Sequence, residues 1–228
     1  MRGIFRFFIK LIIFLLVLPW LYALILLVIP PPITITQATS MVEGHGLKRD
    51  YLPLHQIPEN AAWAVIAAED QTFAQHSGFD FAGIEKAMES NAKGKRVRGA
   101  STISQQVAKN VFLWQGRSWL RKGLETYCTF VIEVLWSKKR IVYTYLNIVE
   151  MGKGVFGIEA AAQHYFQKPA AQLTANESAR IAAALPSPKT YKVNPASGYI
   201  AKRATWIERQ TRNLKQDQQL KQIIQHEH

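Results

Sequence analysis

The feature that most constrains this chain lies at residues 11–29. LIIFLLVLPWLYALILLVI runs for 19 residues without a charged side chain. As a helix rising 1.5 Å per residue, it comes close to the ~30 Å hydrocarbon thickness of a bilayer. Pro30, Pro31 and Pro32 then stop the helix. Arg2, Arg6 and Lys10 precede the run, and the next Lys or Arg is Lys48. That asymmetry predicts a cytoplasmic N-terminus and an extracytoplasmic remainder. A cleaved signal peptide is the competing reading. The run exceeds an ordinary h-region, however, and no small-x-small cleavage site follows it. The segment therefore reads as a retained anchor. Residues 1–10 are expected in the cytoplasm, 11–31 in the membrane and 32–48 in a linker. PPITITQATS, with its alternating β-branched residues, reads as extended. Residues 49–228 form the domain outside.

The domain carries the charge. Lys and Arg total 28 against 16 acids, a formal net charge of +12. Such a balance suits an anionic partner: nucleic acid, an anionic membrane surface or a phosphorylated substrate. An extracytoplasmic placement argues against nucleic acid, and no aromatic-rich RNA-binding pattern argues for it. Cys128 is the single cysteine, so no disulfide can form within the chain. In an apolar helical run it reads as a core filler. The sequence shows no zinc-ligand spacing and no internal repeat.

Beyond the anchor the segments read as helices. Pro58 suits a first helical turn, followed by the buried-looking AAWAVIAA. Thr102 and Gln105 have capping-box spacing ahead of ISQQVAKNVFLW. Ser118 can cap a helix in which Leu120, Leu124, Tyr127, Val131 and Leu135 recur at helical spacing. Ser137 can cap KKRIVYTYLNIVE. Thr174 and Glu177 form another capping box, and Pro186 and Pro188 end its helix. The C-terminal tail is polar and helical in composition. No alternating strand series stands out, so a mostly α single domain is expected.

Two motifs are decoys. Gly152-Lys-Gly154-Val-Phe-Gly157 fits the dinucleotide fingerprint, which requires a preceding strand in a βαβ unit. Helix-like YTYLNIVEM precedes it, so a glycine turn between helices is the better reading. Ser90-Asn-Ala-Lys93 fits the S-x-x-K of penicillin-binding serine enzymes, but Lys189-Thr190 is followed by Tyr191 rather than glycine, and the chain is short for that module.

Three polar blocks remain. In the first, an apolar helix runs straight into Glu69-Asp70, at the end where the helix dipole disfavours acids. In the second, Lys93, Lys95, Arg96 and Arg98 lead into a helix N-terminus at Ser101, a plausible anion site, with Lys109 and Asn110 two turns further on. In the third, Arg117 is followed by Arg121, Lys122 and Glu125, with Arg121 and Glu125 at i,i+4. Each alone reads as well as a solvated helix end, a surface turn or a surface ion pair. Together they suit a glycosyl transfer that expels a diphosphate. One carboxylate takes the proton of an attacking sugar hydroxyl, and fixed cations meet the charge growing on the leaving group.

These residues resemble the motifs of a known family. Glu69-Asp70-x-x-Phe73-x-x-His76-x-Gly78-x-Asp80 is similar to the first motif of the peptidoglycan glycosyltransferases of glycosyltransferase family 51. Gly99-Ala-Ser101-Thr102-Ile103-x-Gln105-Gln106-x-x-Lys109-Asn110 resembles the second, and Arg121-Lys122-x-x-Glu125 the third. Lys138-x-x-Ile141-Val142-x-x-Tyr145-Leu146-Asn147, running on to Gly152, Gly157 and Tyr165, resembles the fourth. Residues 173–186 resemble the fifth. The matches run in order from about residue 50 to 195, and the monofunctional biosynthetic enzymes of Gram-negative bacteria are the nearest type. Tyr143 stands where a Glu is common in the fourth motif, a position read as structural.

The resemblance implies a lysozyme-like, two-lobed, mostly α domain behind one transmembrane helix in the bacterial inner membrane. It implies polymerisation of lipid II into β-1,4 glycan strands with release of undecaprenyl diphosphate. Glu69 would be the base in an inverting transfer. Glu125 would sit near the donor diphosphate, assisting departure or holding a divalent cation. Ser101, Gln105, Gln106, Lys109, Asn110, Arg117, Arg121 and Lys122 would line the donor site, and Lys86 the acceptor side. No cofactor is obligatory; Mg or Mn is compatible. Phe73, His76 and Asp80 would shape the loop that holds Glu69. The implied partners are lipid II, the nascent strand, the membrane and a wall-synthesis complex with penicillin-binding proteins. The alternative is a lysozyme-like hydrolase or lytic transglycosylase using Glu89-Ser90 or Glu177-Ser178. That chemistry needs no diphosphate-binding cations. A non-enzymatic wall-binding scaffold is the third reading.

Overall fold

The computed structural model describes residues 2–93, 99–116 and 118–225. The apolar run lies within α1 (Arg2–Ile25), which contains Pro19 and leaves most of its large side chains exposed. An apolar helix left uncovered along most of its length fits a hydrocarbon surround, not an aqueous one. Its last turns dock on the domain. Trp20 Nε1 donates to the Tyr127 hydroxyl at 2.8 Å, and Trp136 Nε1 donates to the Ala23 carbonyl at 2.9 Å.

The stretch expected as an extended linker is instead a helix, α2 (Ile35–Val42). Thr34 supplies a full capping box: its Oγ1 accepts from Gln37 N at 3.2 Å, and Gln37 Oε1 accepts from Thr34 N at 3.1 Å. The alternating β-branched residues suggested extended backbone. The cap satisfies two orphan N–H groups and settles the local choice for helix.

The domain then unfolds as a chain of helices: α3 (Glu59–Glu69), α4 (Phe81–Ala92), α5 (Ile103–Phe112), α6 (Trp119–Leu135) and α7 (Lys138–Ile148). After a short hairpin come α8 (Ile158–Phe166), α9 (Ala175–Ala184), α10 (Gly198–Leu214) and α11 (Gln218–Ile224). The expected caps at Thr102, Ser118, Ser137 and Thr174 are all formed. Ala61 through Ala67 are all buried, so α3 is apolar all round and forms the centre of the core. It packs against α9, α10 and α7, while α5 lies between α6 and α7.

One element was not anticipated. Strands β1 (Lys48–Arg49), β2 (Glu150–Gly152) and β3 (Val155–Phe156) form a small sheet in the order β1-β3-β2, with β1 parallel and β2 antiparallel to β3. Runs of two or three residues carry no readable alternation. The glycine fingerprint is this β2–β3 turn, entered from helix α7 rather than from a strand of a βαβ unit. Trp119, Leu120, Phe130 and Val134 leave an apolar face of α6 exposed on the part of the domain that receives α1.

Candidate active site

Helix α3 delivers Glu69 and Asp70 to the N-terminus of α5. Asp70 is buried and fully engaged. Its Oδ2 accepts from Ile103 N at 3.0 Å, and its Oδ1 accepts from His76 Nε2 at 2.9 Å. Gly78 N donates to His76 Nδ1 at 3.2 Å, which leaves the ring proton on Nε2, facing Asp70. Asp70 therefore pins the end of one helix to the start of another. Phe73 is fully buried, with the Lys138 ammonium 4.7 Å from its ring centre. Asp80 accepts from Thr72 Oγ1 at 3.0 Å and Gly83 N at 2.8 Å. These are the loop-shaping contacts expected of Phe73, His76 and Asp80.

Glu69 is held differently. Its Oε2 accepts from Gln106 Nε2 at 2.8 Å. Tyr145 donates to Gln106 Oε1 at 3.1 Å and so fixes which end of the amide faces the carboxylate. Burial pushes the Glu69 carboxyl above the ordinary glutamate range, and neighbouring Asp70 adds to the rise. The Gln106 hydrogen bond, Arg203 and Lys109 oppose it without cancelling it. The carboxylate opens onto a cavity of about 200 Å³ lined by Thr72, Asp80, Gly83, Gly99 and Ser101. Gln106 also lines a second cavity, of about 370 Å³, with Lys109, Asn110, Ser40, Glu150 and Lys189. The Glu69–Gln106 bond thus joins the linings of two adjoining spaces.

Lys109 lies one turn beyond Gln106. Burial pulls its ammonium below the usual lysine range, while the charges of Glu125 and Glu69 hold it up. Glu125 is 3% exposed. Its Oε2 accepts from Arg121 Nη1 at 2.7 Å, and its Oε1 accepts from Lys122 Nζ. One carboxylate among three cations leaves a net positive cluster, suited to an anion larger than a carboxylate. Both Glu125 oxygens face cationic donors, and the described residues contain no group of three or more potential metal-ligating side chains. The donor set does not fit a divalent cation held by the protein alone.

The remaining expected site residues divide. Ser101 is exposed at the mouth of the smaller cavity. Asn110 Oδ1 accepts from Thr36 Oγ1 and Gln115 Nε2, each at 3.3 Å, tying α2 to the larger cavity. Gln105 is 4% exposed, and its Oε1 is taken by Thr102 N at 3.1 Å in the helix cap. The geometry gives it a structural task. Lys86 is exposed on α4, outside both cavity linings, and acts on Asp80 through its charge. Arg117, with Lys95, Arg96 and Arg98 of the basic loop, lies outside the described residues. Tyr143 is buried, and its hydroxyl donates to the Ile224 carbonyl at 2.8 Å, as a structural residue should. Sequence reasoning missed Arg203. It reaches α3 from α10, donating from Nη2 to the Ala68 carbonyl at 3.3 Å. Nothing in the polar C-terminal composition singles it out.

The sequence pattern of the Transglycosylase family matches residues 36–212, starting inside α2. The biosynthetic peptidoglycan transglycosylase of Xanthomonas axonopodis pv. citri (strain 306) is 51% identical over 201 residues, covering 85% of this chain and 82% of the relative. That of Xanthomonas euvesicatoria pv. vesicatoria (strain 85-10) is 52% identical over 201 residues, covering 85% and 81%. The protein of the same description from Salmonella enteritidis PT4 (strain P125109) is 51% identical over 195 residues, covering 82% and 81%.

Proposed function

The chain belongs to the transglycosylase family and is a peptidoglycan glycosyltransferase with a lysozyme-like helical domain, and from that premise we propose that it polymerises lipid II with Glu69 as the general base. The acceptor is a sugar hydroxyl of one saccharide unit, and the donor is a saccharide joined through its anomeric carbon to a polyprenyl diphosphate. Glu69 takes the hydroxyl proton as the oxygen attacks the anomeric carbon. The bond from that carbon to the diphosphate oxygen breaks on the opposite face. An α-linked donor thereby becomes a β-1,4 link, and undecaprenyl diphosphate leaves with the electron pair.

The observation that carries this reading is a division of labour. Burial raises the proton affinity of Glu69, and among the described residues its carboxylate accepts one side-chain hydrogen bond, from Gln106, which suits it to take a proton from an attacking hydroxyl. Lys109, Arg121 and Lys122 gather around Glu125, where a departing diphosphate would need positive charge. Glu125 orients Arg121 and Lys122 instead of reacting itself. The cleavage alternative has less support. Glu177 is occupied by Lys168 at 2.6 Å and by its own helix cap, and Glu89 is an exposed partner of Lys93.

The single apolar helix fits a one-pass anchor that keeps the domain beside a membrane-borne substrate. In this reading the membrane is the bacterial inner membrane and the catalytic domain faces the periplasm. The test uses purified full-length protein and labelled lipid II in detergent. Wild type should yield polymer that lysozyme digests, and Glu69→Gln should yield none. Cleavage of preformed glycan without synthesis by wild type would overturn the assignment.

A further inference from the structure

Where the apolar helix ends, two arginines hold the outgoing chain against the domain. Arg140 of α7 donates from Nη2 to the Leu26 carbonyl. Arg49 donates from Nη1 to the Pro32 carbonyl and to Gln37 Oε1, and from Nη2 to the Pro31 carbonyl at 3.4 Å. Neither guanidinium has a carboxylate within ion-pair distance among the described residues. Arg140 Nε is buried without any partner. The hydroxyl of Tyr51 feels both positive charges. Arg140 is thus a partly desolvated cation with an unsatisfied donor and no counter-ion among the described residues, a costly arrangement that an anion would relieve.

The place limits what that anion can be. A cavity of about 420 Å³ opens beside Arg140, walled by Leu26, Val28, Pro30, Leu54 and Trp136. Val28 is 85% exposed and Leu54 40%. This rim directly follows the apolar helix, so with that helix spanning a bilayer it comes next to the head-group layer. The Trp136 ring lies 5.9 Å from the Arg140 guanidinium, an aromatic and cationic pairing suited to that depth. A partly buried guanidinium facing such a boundary is suited to a phosphate oxygen, with which it forms charge-assisted hydrogen bonds.

We propose that this cavity binds the head group of one anionic phospholipid, with the phosphodiester on Arg140, longer-range positive charge from Arg49, whose guanidinium is held by Pro31, Pro32 and Gln37 outside the cavity lining, and acyl chain against the exposed Val28 and Leu54. The site is separate from the cations of α5 and α6. It rests on the anchor spanning the membrane, not on the chemistry assigned to Glu69. A zwitterionic lipid is disfavoured because the described lining of the cavity includes no Asp or Glu to receive its ammonium. The lipid would also stiffen the junction that sets the angle between anchor and domain.

The test is native mass spectrometry of the full-length protein in mild detergent, titrated with phosphatidylglycerol, phosphatidylcholine or glycerol 3-phosphate. Wild type should retain one phosphatidylglycerol in preference to phosphatidylcholine, and no glycerol 3-phosphate. Arg140→Gln should weaken retention about tenfold, the factor carried by roughly 1.4 kcal/mol. Arg140→Lys keeps the charge but loses the planar fork and should fall between. Lys139→Gln should change nothing. Arg140→Gln also frees the Leu26 carbonyl, so Leu54→Trp gives an independent check: it fills the cavity from its rim with both arginines intact and should expel the lipid. Equal retention of phosphatidylcholine would overturn the proposal. So would glycerol 3-phosphate binding as tightly as the lipid, or wild-type retention by both Arg140→Gln and Leu54→Trp. Polymer synthesis by the same wild-type sample is scored separately, so its failure would count against the transferase mechanism and not against this site.

Discussion

Gln106 donates a hydrogen bond to Glu69 at 2.8 Å across the join between two cavities. This bond favours the ionised carboxylate against the burial that opposes it. Gln106→Leu should therefore raise the proton affinity of Glu69 further. The acid limb of the pH profile of kcat/KM should move to higher pH, and the rate on that limb should fall about tenfold, in keeping with ~1.5 kcal/mol for a hydrogen bond to a charged group. Tyr145→Phe, which frees the amide to turn, should move the limb the same way by less. An unmoved acid limb in Gln106→Leu, measured with lipid II, would remove Glu69 from the role of titrating base.

A carboxyl raised by burial also weakens the fold. Because its folded pKa lies above the unfolded value, Glu69 contributes most stability below the ordinary carboxylate range and loses it as pH rises through the folded pKa. Glu69→Gln should thus be inactive yet more stable than wild type at pH 7, by about 1 kcal/mol. The difference should shrink toward acidic pH. Thermal unfolding in detergent at several pH values checks it, and a mutant less stable than wild type at neutral pH would contradict the assigned strain.

The two cations ion-paired with Glu125 differ in burial. Arg121→Ala would leave a carboxylate that is 3% exposed with a single, half-exposed partner. Its cost should approach 3 kcal/mol, as for breaking a buried pair. Lys122, whose side chain is 41% exposed, should cost under about 1 kcal/mol when changed to Ala. Both should lower polymer synthesis. Replacing Arg121 and Glu125 together by Met and Leu should recover much of the stability and none of the activity. Equal destabilisation by Arg121→Ala and Lys122→Ala would show that the carboxylate is better solvated than its environment indicates.

Much of this was legible from the chain because it rests on short-range chemistry. The caps at Thr102, Ser118, Ser137 and Thr174 are local hydrogen bonds written in adjacent residues. The Arg121–Glu125 pair follows from one helical turn. The apolar run and its basic flank predict the exposed first helix. Elsewhere, local signals misled or were missing. Thr34 and Gln37 formed a capping box inside a stretch whose β-branched alternation suggested an extended linker. The β1–β3 pairing joins residues more than a hundred positions apart through runs too short to show a period. Gln105 carried two signals, capping-box spacing with Thr102 and a place in the donor-site motif, and the fold puts its Oε1 in the cap.

Arg203 is the clearest residue that sequence reasoning did not find. Its guanidinium stacks 3.9 Å from the Trp206 ring centre and reaches the last turn of α3, where it favours the ionised form of Glu69. Arg203→Gln should shift the acid limb of kcat/KM upward, in the same direction as Gln106→Leu. Arg203→Lys keeps the charge without the planar stack and should shift it less. A loss of rate at every pH with no movement of the limb would reduce Arg203 to a helix-packing residue.

Gly157 supplies a test of the hairpin that the glycine fingerprint turned out to be. Its φ is +84°, and an added Cβ would stand 2.6 Å from the Asn147 carbonyl oxygen. Asn147 cannot easily yield, because its side chain accepts from Leu52 N at 2.9 Å and donates to the Leu52 carbonyl at 3.0 Å. Gly157→Ala therefore combines a disfavoured backbone angle with a backbone clash, and should cost about 3 kcal/mol or more. Gly198, in the first turn of α10, has open space where a Cβ would go. Gly198→Ala should be neutral or stabilising by about 0.4–1 kcal/mol. Thermal unfolding of the two variants side by side makes the comparison. A Gly157→Ala protein as stable as Gly198→Ala would mean that the α7–hairpin junction can shift, and that the close approach of Gly157 to Asn147 does not constrain the fold.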